Sequence, residues 1–277
     1  QRLYIDDNPH PTGKKEELDD AKDGSTYSGL HRKYHPWLRQ MLRSHGYYDV
    51  FLFDLDGNLV YSVFKERDYA TNMNTGQWRE TDLANAFRGA LELEKGADPV
   101  FFDFRPYAPS HDAPAAFIAM PVFEADREVG GTVVPGKKLG VLTFQAPIDR
   151  INQVVHETGV RSSAADVDAV DPNRLLRTAS LKSKDSGILS KSVDSDIVDA
   201  AVQGTVGVKE MPRSLVSETE DDSHLIAFTG LEFLGTRWAL IADEPVSVVM
   251  APITKARLTT IVVGVGSIAK AATVGKI

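Results

Sequence analysis

The segment running from Tyr48 to Phe64 constrains the fold more than any other stretch of the chain. Two β-branched and aromatic runs, Tyr48-Asp49-Val50-Phe51-Leu52-Phe53 and Leu59-Val60-Tyr61-Ser62-Val63-Phe64, flank Asp54-Leu55-Asp56-Gly57-Asn58. That is the pattern of a β-hairpin closed by an Asp-Gly turn. The acidic turn has the look of the start of a calcium loop, but Lys65 stands at the twelfth position, where such a loop needs a bidentate Glu. It therefore reads as a turn. A lone hairpin is marginal in water, so further strands must cover it. Three more lie downstream, over 99–105, 115–123 and 138–146, with a charged, Gly-bearing hairpin loop over 124–136. Between them, 82–93 reads as an amphipathic helix capped by Thr81 or Asp82, and 149–156 leads away as another.

Upstream, Tyr27, Leu30, Tyr34, Trp37, Leu38, Met41 and Leu42 recur at helical spacing, which predicts a helix over 27–43 with this face toward the core. Pro36 is expected to kink it and Gly46 to end it. Residues 1–23 are polar and read as loose at the start. Downstream the pattern repeats weakly: a short strand closing at 174–177, a helix at 197–202, strands at 224–229 and 236–243, and a helix from Val246. Residues 258–269 are apolar or small until Lys270 interrupts. A membrane span needs roughly 20 apolar residues, so this reads as the first part of a span or an amphipathic terminal helix. Gln1 opens a polar stretch without a start methionine or signal peptide, the look of an excised fragment.

With 31 basic and 39 acidic residues the net charge is −8, which disfavours binding nucleic acid or anionic membranes through bulk charge. The absence of cysteine excludes thiol catalysis, disulfides and Cys-ligated metals. His31 and His35 lie four apart on the first helix without an acidic residue or third histidine at ligand spacing, and read as solvated or partly packed. No phosphate loop, nucleophile elbow or triad order is present. Neither a catalytic residue, a metal site nor a cofactor is expected. The informative cluster lies in loops of the first half: Lys65-Glu66-Arg67-Asp68, Thr71-Asn72 and Trp78, then Asp103, Arg105, Tyr107 and Ser110. If the sheet gathers these loops, they build a concave small-molecule site with aromatic walls. Asp103 with Tyr107 and Trp78 suits a cation, and Lys65 or Arg105 a carboxylate.

The run 46–68, from Gly46-Tyr47-Tyr48-Asp49 to Lys65-Glu66-Arg67-Asp68, resembles the start of the extracytoplasmic double Cache (dCache) domain of bacterial methyl-accepting chemotaxis receptors. Thr71-Asn72, Asp103-Phe104-Arg105-Pro106-Tyr107-Ala108-Pro109-Ser110, Ala115-Ala116-Phe117-Ile118-Ala119-Met120-Pro121 and the closing run 140–149 continue the likeness. Asn173-Arg174-Leu175-Leu176-Arg177-Thr178 and the run 234–242 are similar to segments of the second module. The likeness spans about 27–260 and is strongest over 46–149; at 157–172 an Ala/Asp/Ser-rich stretch stands in place of the expected strand, and 212–223 looks like a loop.

The resemblance implies an α+β fold, a long N-terminal helix followed by two stacked PAS-like (Cache) modules with antiparallel sheets. Residues 1–46 would be the N-terminal segment and stalk helix, 47–150 the membrane-distal, ligand-binding module, 151–245 the membrane-proximal module, and 246–277 a helix toward a truncated transmembrane segment. The chain would be the periplasmic part of an inner-membrane chemoreceptor, binding a small metabolite and signalling through the second membrane helix. The ligand-binding set would be Tyr61, Lys65, Asp68, Asn72, Trp78, Asp103, Arg105, Tyr107, Ser110 and Phe117. In it Asp103 and Tyr107 anchor the ligand, Trp78 and Phe117 wall the pocket, and Lys65, Asp68 and Asn72 close over it. The Arg-x-Trp-Tyr element of the family's amino-acid receptors has no match here. An amine, quaternary ammonium compound, carboxylate or amino acid is the partner expected, with a homodimer through the N-terminal helix. The alternatives are the same sensor on a histidine kinase or nucleotide cyclase, or a periplasmic metal-binding or hydrolytic protein using His31, His35 and Asp residues.

Overall fold

The computed structural model describes residues 1–158, 166–180, 187–216 and 222–251. The chain divides into two compact units, the first built from Gln1–Ile151 with Glu232–Thr236, the second from Asn152–Leu231 and the chain from Arg237 on.

In the first unit, α1 (Thr26–His45) starts at Ser25, whose hydroxyl accepts from Ser28 N at 3.1 Å, and runs through Pro36. Gly46 ends it as expected: its φ of +71° is the left-handed conformation that only glycine adopts freely, and its N–H caps Leu42 O. The strands β1 (Asp49–Phe53), β2 (Leu59–Ser62), β3 (Val100–Tyr107), β4 (Ala113–Phe123) and β7 (Lys138–Gln145) form one antiparallel sheet in the order β2-β1-β7-β4-β3. Between β4 and β7 the charged loop folds into its own small hairpin, β5 (Arg127–Val129) and β6 (Thr132–Val134). Gly140 lets β7 lie close to β1, because a Cβ there would meet Phe53 O at 2.1 Å.

The two sheet faces are covered differently. On one, α2 (Asp82–Glu92), capped by Thr81, buries Leu83, Ala84, Ala86, Phe87 and Ala90 against Phe51, Phe53, Phe117, Ala119 and Val141. Each large side chain sequestered there contributes about 1.5–3 kcal/mol. On the other, Leu42 of α1 packs with Val50, Tyr61 and Val63.

The face of α1 toward the core differs from the one its apolar spacing predicts. Leu38, Met41 and Leu42 do pack on the core, but Leu30, Tyr34 and Trp37 are 52%, 48% and 63% exposed, while Ser28, His31 and His35 are buried in their place. The reason lies in the N-terminal segment, which satisfies the polar side of the helix. Tyr4 donates its hydroxyl to Ser28 at 2.9 Å, His31 Nδ1 donates to Asp19 O at 2.8 Å, and His35 Nε2 donates to Glu16 O at 2.7 Å. Burial of polar groups is tolerated where they are bonded, as both ring nitrogens of His35 are. Both histidines are therefore packed rather than solvated. Burial drives their pKa values down, aided by the Lys65 charge, to about 4 for His31 and about 2 for His35, so both are neutral.

After α3 (Ile148–Thr158), the second unit forms a sheet of order β8-β11-β10-β9 from β8 (Asp166–Val170), β9 (Gly207–Met211), β10 (His224–Phe233) and β11 (Thr236–Pro245), with α4 (Asp196–Val202) against it. β8 lies within 157–172, where the sequence offers no strand signal; it pairs with β11 from Ala239↔Val170 to Asp243↔Asp166. The edge strand β9 carries no such signal either, and 174–177 forms isolated bridges in a turn instead of a strand. Two buried ionisable pairs hold this unit, Arg177–Asp171 at 2.6 Å and His224–Asp243 at 2.5 Å. Residues 246–251 are helical; the apolar run at 258–269 lies outside the described residues. Among the described residues no helix is long and apolar enough to cross a membrane.

Candidate functional site

A β-bulge between Phe102 and Arg105 shifts the register of β3 against β4, so that Arg105 pairs with Ala115 and Tyr107 with Ala113. This brings Arg105, Pro106, Tyr107 and Ala108 up beside the first turn of α2. The result is a cleft of about 200 Å³ lined by Glu80, Thr81, Asp82, Arg105, Pro106, Tyr107, Ala108, Ala115 and Phe117. It is smaller than the roughly 300–1,000 Å³ of sites for drug-sized ligands, and so fits a compact molecule. Its floor is aromatic, the Tyr107 and Phe117 rings meeting edge to face at 5.0 Å between centroids. Its rim is charged: the exposed Arg105 places Nε 3.6 Å from Oδ2 of the largely buried Asp82. Asp82 also suits the positive end of α2, where it accepts from Asn85 Nδ2 at 3.0 Å.

Behind the floor lies a buried polar network. The Tyr107 hydroxyl donates to Asp68 Oδ2 at 2.5 Å. Burial raises the Asp68 pKa to about 7; the Tyr107 bond opposes this and the Glu66 charge adds to it. Asp49 is fully buried, and its Oδ1 accepts from the N–H groups of Val50, Val63 and Phe64 at 2.6, 2.9 and 3.2 Å. Its pKa is also raised, by burial and then by the Asp68 charge. Glu66 accepts from Tyr48 at 3.0 Å and from Ser110 at 2.5 Å.

The residues singled out in the sequence separate into several places. Arg105, Tyr107 and Phe117 line the cleft, and Asp68 and Ser110 belong to the network behind it. Lys65 and Tyr61 sit instead at the α1 side. The Lys65 ammonium donates to Ser62 O and lies 4.5, 5.2 and 5.9 Å from the ring centroids of Tyr61, Tyr69 and Tyr4. Burial lowers its pKa to about 7, the Asp49 charge working against that. The Tyr61 hydroxyl donates to His35 Nδ1 at 2.7 Å. Asn72 fastens the β1–β2 turn, donating to Asp56 O and Asn58 Oδ1 and accepting from Asn74 N and Thr75 N. Trp78 packs on the core beside α2 and donates to Arg67 O at 3.2 Å. Asp103 lies in the bulge, its carboxylate accepting from Phe104 N at 2.7 Å. The carboxylates at the cleft are Glu80 and Asp82, which stand outside the cluster singled out in the sequence; the cap signal at Thr81-Asp82 is what could have found them.

No protein-family model and no curated protein matches the chain. Solved structures do. The extracellular domain of a protein described as a histidine kinase, vpHK1S-Z8, aligns at 14% identity over 84% of this chain and 80% of its own, with a TM-score of 0.53. A domain of a protein described as sensory box/GGDEF family from Vibrio parahaemolyticus aligns at 15% identity over 81% and 85%, with a TM-score of 0.51. An extracellular ligand-binding receptor from Desulfohalobium retbaense aligns at 12% identity over 83% of this chain and 35% of its own, with a TM-score of 0.50. The chain has the α+β fold of these extracellular sensor domains, in keeping with the dCache likeness of its sequence.

Proposed function

We propose that the chain is an extracytoplasmic sensor domain that binds a small metabolite in the cleft of its first unit and passes the event through the second unit to the helix beginning at Val246. The observation that carries this is the cleft itself: an aromatic floor and charged rim set between the start of α2 and the sheet, in a fold shared with extracellular sensor domains. Residues 47–150 are then the ligand-binding module and 151–245 the membrane-proximal one. A ligand acts by binding one conformation of the first module better than another, and that difference in affinity is all that can move the signalling helix.

Chemoreceptor output is the first reading. The names of the solved structures favour a second, in which the sensor governs a histidine kinase or a nucleotide cyclase. Pairing of two copies through α1 belongs to the same proposal: Tyr27, Leu30, Tyr34 and Trp37 repeat at alternating spacings of three and four and are exposed.

A thermal-shift screen of amines, quaternary ammonium compounds, amino acids and small carboxylates tests the reading. A ligand at a hundred times its dissociation constant stabilises by about 2.7 kcal/mol. Ala108→Trp fills the cleft from an exposed position; it is expected to abolish the response to any ligand found. A response that survives this substitution removes the cleft as the site.

A further inference from the structure

Among the described residues of the first unit, six buried side-chain atoms have no hydrogen-bond partner; Glu16 Oε2 and His31 Nε2 lie by α1, and the other four are Asp49 Oδ2, Asp68 Oδ1, Thr143 Oγ1 and Gln145 Oε1. The side chains of these four are between 0% and 1% exposed. They are not scattered. Gln145 of β7 pairs directly with Asp49 of β1 on one side and with Phe117 of β4 on the other, and Thr143 pairs with Phe51 and Ala119 in the next row. Direct partners across antiparallel strands point to one face, so Asp49, Gln145 and Thr143 share the face that carries Phe117. Asp68 joins them through Tyr107, whose ring packs on Phe117. The unpartnered atoms thus stand behind the two rings that floor the cleft.

Their chemistry is one-sided. Two are carboxyl oxygens and one is an amide carbonyl; burial favours the protonated carboxyls, and an ammonium beside them would favour the ionised form, in which both only accept, while the threonine hydroxyl can serve either way. The nearby cation, Lys65, feels the Asp49 charge but bonds to none of the four atoms; it donates to Ser62 O and lies among the Tyr4, Tyr61 and Tyr69 rings. Buried acceptors without donors are costly, and buried carboxylates most of all. A group with several N–H donors and a positive charge relieves that cost. An ammonium is such a group, and aromatic walls favour it further.

Resting on the cleft reading above, we infer that the ligand is a small primary amine whose ammonium group passes the Tyr107 ring and is received by Asp68, Asp49, Gln145 and Thr143. Arg105 and Asp82 remain at the rim to discriminate among the substituents that the ammonium carries. A quaternary ammonium has the charge but no N–H to donate, and a carboxylate meets two carboxyl groups and an amide carbonyl, with the Thr143 hydroxyl to donate to it.

Isothermal titration of the whole chain in an amine-free buffer, with n-butylammonium, tetramethylammonium, butyrate and β-alanine as probes, tests this. n-Butylammonium is expected to bind about tenfold or more tightly than each of the others, and Gln145→Leu, Thr143→Val and Asp68→Asn each to weaken it by about tenfold. Circular dichroism identifies any variant that fails to fold, and the remaining two then carry the test. Absence of n-butylammonium binding at about 10 mM overturns the inference, as does unchanged affinity in the folded variants. Tighter binding of butyrate, tetramethylammonium or β-alanine that is lost in Ala108→Trp also overturns it, but leaves the cleft as the site. Amine binding that persists in Ala108→Trp overturns both.

Discussion

Asp68 offers the sharpest test of the electrostatics, because its carboxyl is wholly buried and bonded through Oδ2 to Tyr107. Its pKa rises from 3.8 to about 7, chiefly through burial. At about 1.4 kcal/mol per pH unit, ionising it inside the folded unit costs about 4 kcal/mol relative to the unfolded chain. Proton counts give the sign. Between pH 4 and 7 the folded chain holds a proton that the unfolded chain has released, so this group's contribution is fully present at low pH and is lost as pH rises through about 7. Asp68→Asn keeps the shape and the acceptor for Tyr107 but never ionises. The stability advantage of the variant over the parent should therefore grow by about 4 kcal/mol between about pH 4 and pH 8. His31 and His35, with lowered pKa values, act in the opposite sense, adding stability as pH rises toward their unfolded values, but they do so in both proteins and cancel. Urea unfolding followed by Trp37 and Trp78 fluorescence, in a Trp238→Phe background so that only the first unit reports, measures the difference. An advantage constant to within about 0.5 kcal/mol, or one that shrinks with pH, refutes the reasoning.

Three further outcomes are expected. Asn72→Ala removes five side-chain hydrogen bonds that fasten the β1–β2 turn and should lower the stability of the first unit by about 1–3 kcal/mol, read from the same unfolding curves. Gly140→Ala drives a methyl group to 2.1 Å from Phe53 O, and should yield insoluble protein or a unit lacking cooperative unfolding. Leu30→Glu combined with Trp37→Glu should leave the fold and its far-ultraviolet spectrum unchanged while abolishing any concentration-dependent dimer seen by sedimentation; a dimer that persists refutes pairing through α1.

Much of the first unit is legible in the sequence because local chemistry and tertiary context agree there. The Asp54-Leu55-Asp56-Gly57-Asn58 turn, the Thr81 cap and the Gly46 terminator each act within a few residues, and the structure uses all three. The buried side of α1 is not legible, since periodicity ranks faces by apolar content and cannot see that Tyr4, Glu16 and Asp19 will meet the polar side. β8 escapes for a related reason: aspartates are poor strand formers in isolation, yet Asp168 is wholly buried in the sheet. In the site, Arg105, Tyr107 and Phe117 stand out as a charge and two rings in strands rich in aromatics, although β3 runs on through Pro106, a residue that reads as a strand end. Lys65 and Asp68 read in sequence as charges closing over a ligand; in the structure Lys65 lies among the Tyr4, Tyr61 and Tyr69 rings and Asp68 bonds to Tyr107, and the left-handed backbone at Lys65, φ +59°, is not announced by the sequence. Thr143 and Gln145 leave a faint trace, two polar residues at i+2 and i+4 from Val141 on one face of the strand.

The order of the first sheet also sets a sequence of assembly. β1 and β2 form one local hairpin and β3 and β4 another, but neither touches the other until Lys138–Gln145 inserts between them, pairing with β1 on one edge and β4 on the other. During synthesis the two hairpins must wait as separate, edge-exposed pieces for a strand made last. That late strand carries Thr143 and Gln145 and runs on into α3, which starts at Ile148 and leads to the second unit. Setting the layer behind the cleft floor and leading the chain on toward its second unit are therefore tasks of one strand. A chain cut within 124–136 should give two fragments that bind each other, with the cleft appearing only on their union.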